Sequence, residues 1–194
     1  TAQRIGNIED SFYRSLERLG LEYLDLYLIH WPVPGCFCNT WHVLEKLQAS
    51  GVVKSIGVSN FSVHDLELLK ECSDIVPAVN QVELHPLFQT PELVSYCQSS
   101  GIALQAYAPL ARGAYMNSPL MLEIGNRHQK TPVQIGLRWL VQQNISVIPK
   151  AGQKNHLEEN SKIFDFSLTP EEMSAISAMN TGQRITGIPE DMMP

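Results

Sequence analysis

Short apolar segments rich in β-branched residues alternate along the chain with longer segments in which apolar residues recur every three or four positions. A nearly continuous apolar run is typical of a strand that is buried on both faces of a parallel sheet. The sequence therefore predicts five such strands, close to residues 23–29, 53–58, 78–80, 102–106 and 146–149.

The longer segments predict amphipathic helices. Ile8, Phe12, Leu16 and Leu19 share one helical face, and Gly20 then predicts the end of that helix. A helix should also start after Ser62, because Asp65 three residues later completes a capping box. The remaining helices are predicted near residues 41–47, 91–99, 119–127, 132–143, 156–160 and 170–180.

Strand followed by helix, repeated five times, requires a parallel sheet with right-handed crossovers. An open doubly wound sheet that binds a dinucleotide would carry a G-x-G-x-x-G loop, and the sequence has none. We therefore expect a TIM (β/α)₈ barrel, formed by residues 1–194 as a single domain. Such a barrel typically needs about 250 residues, so we expect its first three strands to be missing from this chain.

Composition and charge narrow the classes of partner. The net charge of −6 comes with no basic stripe, which argues against nucleic acid as a partner. No apolar stretch approaches the roughly 20 residues that a membrane helix requires, so we expect a cytoplasmic protein without a membrane partner. The four cysteines lack the spacing of a zinc site, and we expect free thiols and no bound metal.

Polar or aromatic residues follow the predicted strands. They are His30, Ser59 with Asn60, Gln81 with Glu83, Tyr107 and Lys150. Parallel-sheet enzymes build their sites at the carboxyl ends of strands, so we expect these residues to line one pocket. Each has a plainer interpretation: a histidine or tyrosine at the core rim, a turn before a helix, or a solvated lysine.

Five motifs in a fixed order carry a family resemblance. They are Leu28-Ile29-His30-Trp31-Pro32, Ile56-Gly57-Val58-Ser59-Asn60-Phe61, Val79-Asn80-Gln81-Val82-Glu83-Leu84-His85-Pro86, Ala106-Tyr107-Ala108-Pro109-Leu110 and Ile148-Pro149-Lys150. The chain resembles the aldo-keto reductase family along almost its whole length, and especially the short-looped branch of 2,5-diketo-gluconate reductases and protozoan prostaglandin F synthases. The resemblance implies NADPH-dependent reduction of aldehydes or ketones to alcohols.

The resemblance also assigns roles. It makes His30 the residue that orients the substrate carbonyl and Trp31 a wall of the substrate pocket. Cofactor contacts are implied for Ser59, Asn60 and Gln81 at the nicotinamide amide and for Tyr107, which stacks on the ring. Contacts elsewhere on the cofactor are implied for Leu110, Lys150, His156 and Asn160.

Two positions near the implied phosphate site depart from the family pattern. Many NADPH-using members have serine or threonine at the position of Ala151 and arginine at the position of His156. A histidine lacks the permanent planar charge of a guanidinium. We therefore expect a weakened preference for NADPH over NADH.

A larger departure concerns the proton donor. The family uses a tyrosine whose pKa is lowered by a lysine, with an aspartate behind that lysine, and no segment here matches them. Tyr27 lies three residues before His30 and should point to the opposite face, toward the helices. Tyr13, Tyr23, Tyr96 and Tyr115 have no strand-end lysine nearby in the sequence. We expect the chain alone to retain little or no reductase activity.

Two other functions fit parts of the sequence. One is a nucleotide-binding regulatory or scaffold module with little turnover. The other is a metal-dependent barrel hydrolase that uses His30, Glu83 and His85. Substrate choice should depend on loops such as residues 34–40 and the segment after Asn180. Members of this branch are often monomers, so we expect a monomer that acts on a small carbonyl compound.

Overall fold

The computed structural model describes residue 3 and residues 6–189. The strands are β1 (Leu24–Ile29), β2 (Val53–Ser59), β3 (Val79–Glu83), β4 (Ala103–Tyr107) and β5 (Ser146–Val147). The α-helices among the described residues are α1 (Ile8–Leu19), α2 (Phe37–Ala49), α3 (Val63–Cys72), α4 (Pro91–Ser99), α5 (Pro119–His128), α6 (Pro132–Val141), α7 (Lys154–Ser161) and α8 (Pro170–Ser177). None of the described helices is long and apolar enough to cross a membrane.

The strands follow one another across a five-stranded sheet in the order β1-β2-β3-β4-β5. The pairs β1 with β2, β2 with β3, and β4 with β5 are parallel. The predicted alternation of strands and helices is therefore confirmed. The differences lie at the ends of elements: α2 begins four residues earlier than the predicted 41–47, and β5 is only two residues long.

Two compact units make up the described chain. The first contains the described residues up to Gln81 together with Glu92–Ala103, and the second contains Val82–Pro91 and Leu104–Gly187. The boundary passes through β3 and β4. The sequence-based expectation of a single domain stays a prediction.

In the first unit, α1 packs on β1 through aromatic side chains. Phe12 is fully buried. The centre of its ring lies 5.1 Å from the centre of the Tyr27 ring, in an edge-to-face arrangement. Tyr27 thus points toward a helix, which confirms the predicted face. Burial also raises the pKa of the Tyr27 phenol above its ordinary value.

A disulfide joins α2 to α3 in the first unit. Cys38 and Cys72 are bonded, with their Cα atoms 6.1 Å apart, whereas Cys36 and Cys97 are free thiols. The expectation of four free thiols is therefore wrong for Cys38 and Cys72. The two cysteines are 34 residues apart in sequence, and nothing local in either segment predicted that the two helices bring them together.

Gly57 allows β2 to pack closely against β1 and β3. A Cβ atom built at Gly57 would lie 2.7 Å from the backbone oxygen of Val79 and 2.7 Å from a methyl carbon of Leu28. Both distances are shorter than real Cβ contacts. The strand that ends at Ser59 is therefore held in place by a backbone approach that only glycine allows.

The second unit contains a capped helix that is held by buried polar contacts. Thr169 and Glu172 form a capping box at the start of α8, and Pro170 lies in its first turn. The Glu172 carboxylate also lies 2.8 Å from Nε2 of His128 on α5. Burial alone would raise the pKa of Glu172, but the N–H of Thr169 and the His128 ring outweigh it and lower that pKa below the ordinary value.

Candidate functional site

The carboxyl ends of β2 and β3 are tied together by short hydrogen bonds. The Ser59 side chain is buried, and its hydroxyl donates to the backbone oxygen of Gln81 over 2.8 Å. The backbone N–H of Asn60 donates to the same oxygen over 2.9 Å. Ser59 and Gln81 are also direct partners in the register of the sheet. Three residues predicted to bind one amide group are therefore neighbours.

Asn60 extends this group to the end of β1. Its side-chain nitrogen donates to the backbone oxygen of His30 over 3.0 Å and lies 3.1 Å from the Ser59 hydroxyl. Asn60 has φ of 64°, a left-handed conformation that asparagine tolerates better than most residues. Such strained positions cluster at functional sites. The structure thus brings His30, Ser59, Asn60 and Gln81 together within the first unit.

His30 and Trp31 lie at the rim of the first unit. The His30 side chain is exposed and that of Trp31 is half-buried. A cavity of about 220 Å³ follows the edge of β1, and its lining includes residues 27–31 together with Thr40 and Leu44. The His30 imidazole is therefore accessible to a small molecule, as a carbonyl-orienting residue must be.

Tyr107 ends β4 in the second unit. Its hydroxyl accepts a hydrogen bond of 3.0 Å from Nη2 of Arg184 and lies 3.4 Å from the Thr186 hydroxyl. Its backbone oxygen accepts from the N–H of Leu84 over 3.4 Å. Leu110 follows three residues later and precedes a single 3₁₀ turn at Ala111–Gly113.

The residues predicted at the phosphate end of the cofactor also lie in the second unit. Lys150 and His156 are exposed, and His156 and Asn160 share one face of α7, four residues apart. The helix begins at Lys154 without a side-chain cap at Gln153. Asn160 presents a buried side-chain nitrogen that has no hydrogen-bond partner among the described residues. This end of the unit therefore offers unused donors.

Glu83 is the most constrained ionisable residue of the second unit. Its side chain is fully buried and contacts the backbone N–H of Ile185 at 2.6 Å, the His85 ring at 3.2 Å and Nε of Arg184 at 3.3 Å. The hydroxyl of Thr186 also donates to it. Burial alone would raise the pKa of Glu83, but the donors from Thr186, Ile185 and His85 outweigh burial and lower it.

Sequence reasoning did not predict the contacts of Glu83 with Ile185, Thr186 and Arg184. It treated Glu83 as a residue of the expected pocket or as an alternative metal ligand, and the segment after Asn180 as a loop. A signal was present, since a carboxylate inside a buried strand must find several donors.

No group of three or more His, Cys, Asp or Glu that could hold a metal ion occurs among residues 3 and 6–189. The predicted site residues fall in two units, and their convergence on one pocket stays a prediction.

Comparison with known proteins identifies the family. Residues 2–181 match the model of the "Aldo/keto reductase family". The chain belongs to the aldo/keto reductase family. This finding confirms the resemblance inferred from the five motifs.

Several family members are similar along the chain. The glyoxal reductase of Bacillus subtilis is 44% identical over 94% of the chain, and the 9,11-endoperoxide prostaglandin H2 reductase of Trypanosoma cruzi is 47% identical over 95%. The chain spans 66% of the length of each.

Solved structures of similar proteins superimpose on this chain. A putative 2,5-diketo-D-gluconic acid reductase B superimposes with a TM-score of 0.92 at 35% identity, covering 99% of this chain and 69% of that one. An aldo-keto reductase of Bombyx mori, in complex with NADP, gives 0.88 at 35% identity and covers 94% and 66%. The predicted α/β barrel class is thereby confirmed.

One group of side chains has the composition of the aldo/keto reductase proton donor but the wrong location. Lys54 lies 4.0 Å from the centre of the Tyr23 ring and 2.8 Å from Oδ1 of Asp25. Lys54 is the second residue of β2 and not a residue at its carboxyl end, so the expectation that Tyr23 has no nearby strand-end lysine is not contradicted. Tyr23 precedes β1, whereas His30 follows it, and a six-residue strand spans about 20 Å. This exposed group cannot reach a carbonyl held by His30.

The other tyrosines are engaged elsewhere. Tyr115 is buried and donates to the backbone oxygen of Pro109 over 3.0 Å, and burial raises its pKa. Tyr96 donates to Glu67, and the ring of the exposed Tyr13 packs against Phe12. Among the described residues, no tyrosine combines a position beside His30 with a neighbouring lysine.

Proposed function

We propose that this protein is an NADPH-dependent carbonyl reductase that converts aldehydes or ketones to alcohols. The observation that carries the proposal is the hydrogen-bonded group at the ends of β1, β2 and β3. It joins the backbone oxygen of His30, whose imidazole is exposed, to the side chains of Ser59 and Asn60 and to the backbone oxygen of Gln81. Similarity to a glyoxal reductase and a prostaglandin H2 reductase supports the same reaction class.

The residues present fit a nicotinamide cofactor. Ser59, Asn60 and Gln81 offer the short donors and acceptors that a carboxamide needs, and Tyr107 offers an aromatic face. Under this proposal the unpaired side-chain nitrogen of Asn160, the start of α7 without a side-chain cap and the exposed ammonium of Lys150 serve the nucleotide end. When bound, the reduced cofactor supplies a hydride.

His30 carries the chemistry that this chain itself provides. Negative charge develops on the carbonyl oxygen when hydride reaches the carbon. An exposed imidazole at the end of β1 can donate a hydrogen bond to that oxygen and fix the angle at which the carbonyl lies. Trp31, directly next in the chain, supplies a flat apolar wall for a small substrate.

A nucleotide-binding module with little turnover is the second candidate. The positions of the tyrosines favour it, because no described tyrosine both lies beside His30 and has a neighbouring lysine. Under this proposal the chain binds NADPH and orients a carbonyl, while the proton must come from water or from a donor outside the described tyrosines. Turnover is then slow although binding is intact.

The first experiment measures binding and turnover separately on the purified chain. NADPH binding is followed by the quenching of tryptophan fluorescence, and turnover by the loss of NADPH absorbance with glyoxal as substrate. Binding with carbonyl-dependent oxidation supports the reductase. Binding without oxidation supports the module. Absence of NADPH binding contradicts both proposals.

Matched variants assign the result to the site. Asn60→Ala is expected to weaken NADPH binding, whereas Asn126→Ala, an exposed asparagine on α5, should not. His30→Gln is expected to reduce turnover and leave NADPH binding unchanged, with the exposed His64→Gln as its control. Equal effects of the site and control variants would contradict the assignment.

We further propose that the protein acts as a monomer in the cytoplasm. The negative net charge and the family's small-molecule substrates support this proposal. Because disulfides are rare in a reducing cytosol, the cytoplasmic location requires that the Cys38–Cys72 bond resist reduction there. Light scattering of the purified protein and cell fractionation test the two statements.

A further inference from the structure

The side chain of Arg184 links a buried carboxylate to the hydroxyl of Tyr107. Its Nη2 donates to the Tyr107 hydroxyl over 3.0 Å, and its Nε lies 3.3 Å from Oε2 of Glu83. The carbon of its guanidinium also lies 5.3 Å from the centre of the Phe88 ring. All four residues belong to the second unit.

Glu83 is a fixed anchor for this link. A buried carboxylate is stable only when its oxygens are paired and hydrogen-bonded. The donors from Ile185, Thr186 and His85 meet that need and hold the carboxylate in one orientation. A group that pairs with Glu83 is therefore held in a defined position.

Arginine suits this position better than lysine. The guanidinium is planar and rigid, so its ion pair with Glu83, which lacks hydrogen-bond geometry, still limits the direction of the bond that Nη2 donates to the phenol. A lysine ammonium on a flexible chain could keep the charge but would not fix that direction. The second contact to the phenol, from Thr186 at 3.4 Å, acts from the same segment.

We infer that Arg184, anchored by Glu83, is a positioning residue that fixes the ring of Tyr107. This inference rests on the proposed function for its consequence, because a fixed ring presents a defined face to the nicotinamide. Arg184 and Glu83 do not touch the cofactor under this inference. They act through the Tyr107 hydroxyl.

The test is a double-mutant cycle between residues 107 and 184, measured in the full chain. Tyr107→Phe keeps the stacking ring and removes the hydroxyl. We expect Arg184→Gln to weaken NADPH binding roughly tenfold, a typical loss for one hydrogen bond from a charged group. In the Tyr107→Phe background the same substitution should cause no further loss. Equal losses in both backgrounds would overturn the inference.

A second measurement does not depend on cofactor binding. The chain is labelled with 3-fluorotyrosine, and the ¹⁹F signal of Tyr107 is assigned from its absence in Tyr107→Phe. Arg184→Gln should shift or broaden that signal, and Arg18→Gln, an exposed arginine on α1, should leave it unchanged. An unchanged Tyr107 signal in Arg184→Gln would overturn the inference, even if the chain binds no NADPH and the proposed function fails.

Arg184→Lys covers the case in which Arg184→Gln does not fold because Glu83 loses its partner. Lysine retains the charge opposite Glu83. If Arg184 positions the ring, Arg184→Lys should melt near the wild-type temperature and still shift the ¹⁹F signal of Tyr107. A wild-type signal in this variant would overturn the inference, because the Tyr107 ring would then keep its position without the guanidinium.

Discussion

The side-chain amide of Asn60 donates a 3.0 Å hydrogen bond to the backbone carbonyl of His30. The bond joins the turn after β2 to the end of β1, so the two strands present their candidate functional residues as one group. Because Asn60 also has φ of 64°, its identity matters for both the bond and the backbone.

Substitution of Asn60 should separate these two effects. Asn60→Gly loses the hydrogen bond, which typically costs about 1 kcal/mol of unfolding free energy. Asn60→Ala loses the bond and also places a Cβ-bearing residue in a left-handed conformation, which costs roughly 1–2 kcal/mol more. Urea unfolding of both variants measures the difference. Equal stability of the alanine and glycine variants would show that the conformation carries no strain.

Acid should destabilise the second unit through Glu83 and His85. The folded-state pKa of Glu83 is lowered, so its stabilisation is complete above the ordinary carboxyl value near 4.5 and is lost as the pH falls below it. The pKa of His85 is lowered by burial, an effect that the neighbouring Glu83 only partly opposes. Neutral His85 is therefore favoured in the fold, and stability should already decline below the ordinary histidine value near 6.5.

Urea unfolding at successive pH values from 8 to about 4 measures this decline. Glu83→Gln should flatten the part of the profile below about 5, because the titrating carboxylate is gone. Glu17→Gln, at an exposed position on α1, serves as the control and should follow the wild-type profile. A wild-type profile in Glu83→Gln would contradict the assignment.

Gly57→Ala should destabilise the sheet. The added methyl group would lie 2.7 Å from the backbone oxygen of Val79, which cannot move without shifting β3. Overpacking of this kind typically costs about 1–3 kcal/mol. Gly187→Ala is the control, since a Cβ there meets nothing within 4 Å. Thermal unfolding of the two variants should give a lower midpoint for Gly57→Ala alone.

Reduction of the Cys38–Cys72 bond should lower stability by favouring the unfolded chain. The bond closes a loop between residues 34 apart, for which the chain-entropy model gives about 3–4 kcal/mol. Cys72→Ser should reproduce the effect of a reducing agent, and the reducing agent should then have no additional effect. Cys36→Ser, which removes a free thiol, is the control. A reductant effect that persists in Cys72→Ser would place its origin elsewhere.

His156→Arg should strengthen the preference for NADPH. The substitution adds a permanent planar charge on the exposed face of α7 that also carries Asn160. We expect the NADPH dissociation constant to fall roughly tenfold or more, the size of a charge-assisted hydrogen bond, while the NADH constant stays unchanged. Fluorescence titrations with both cofactors measure the ratio. His64→Arg controls for net charge, and an equal gain in that variant would contradict a local contact.

Local sequence signals were sufficient for much of the fold. The capping box of Ser62 and Asp65 is present, and Tyr27 faces a helix because side chains alternate along a strand. The ends of the strands placed His30, Asn60 and Gln81 near one another because parallel strands end at a common edge.

Contacts between distant segments could not be predicted in the same way. The pairing of Cys38 with Cys72 depends on how two helices cross, and the pairing of Glu83 with Arg184 depends on the path of a loop. Neither leaves a periodic pattern in the sequence. The position of Lys54 above Tyr23 was missed for the same reason, because sheet register determines it.

The contact between Glu83 and Ile185 spans 102 residues, and this separation affects when it can form. A ribosome that adds roughly 5–20 residues per second needs about 5–20 s to proceed from one residue to the other. We expect Glu83 to lack these donors and to stay hydrated during that time, because a buried carboxylate needs hydrogen-bonded partners. Burial of the carboxyl end of β3 is then expected only after the segment that contains Ile185 has been made.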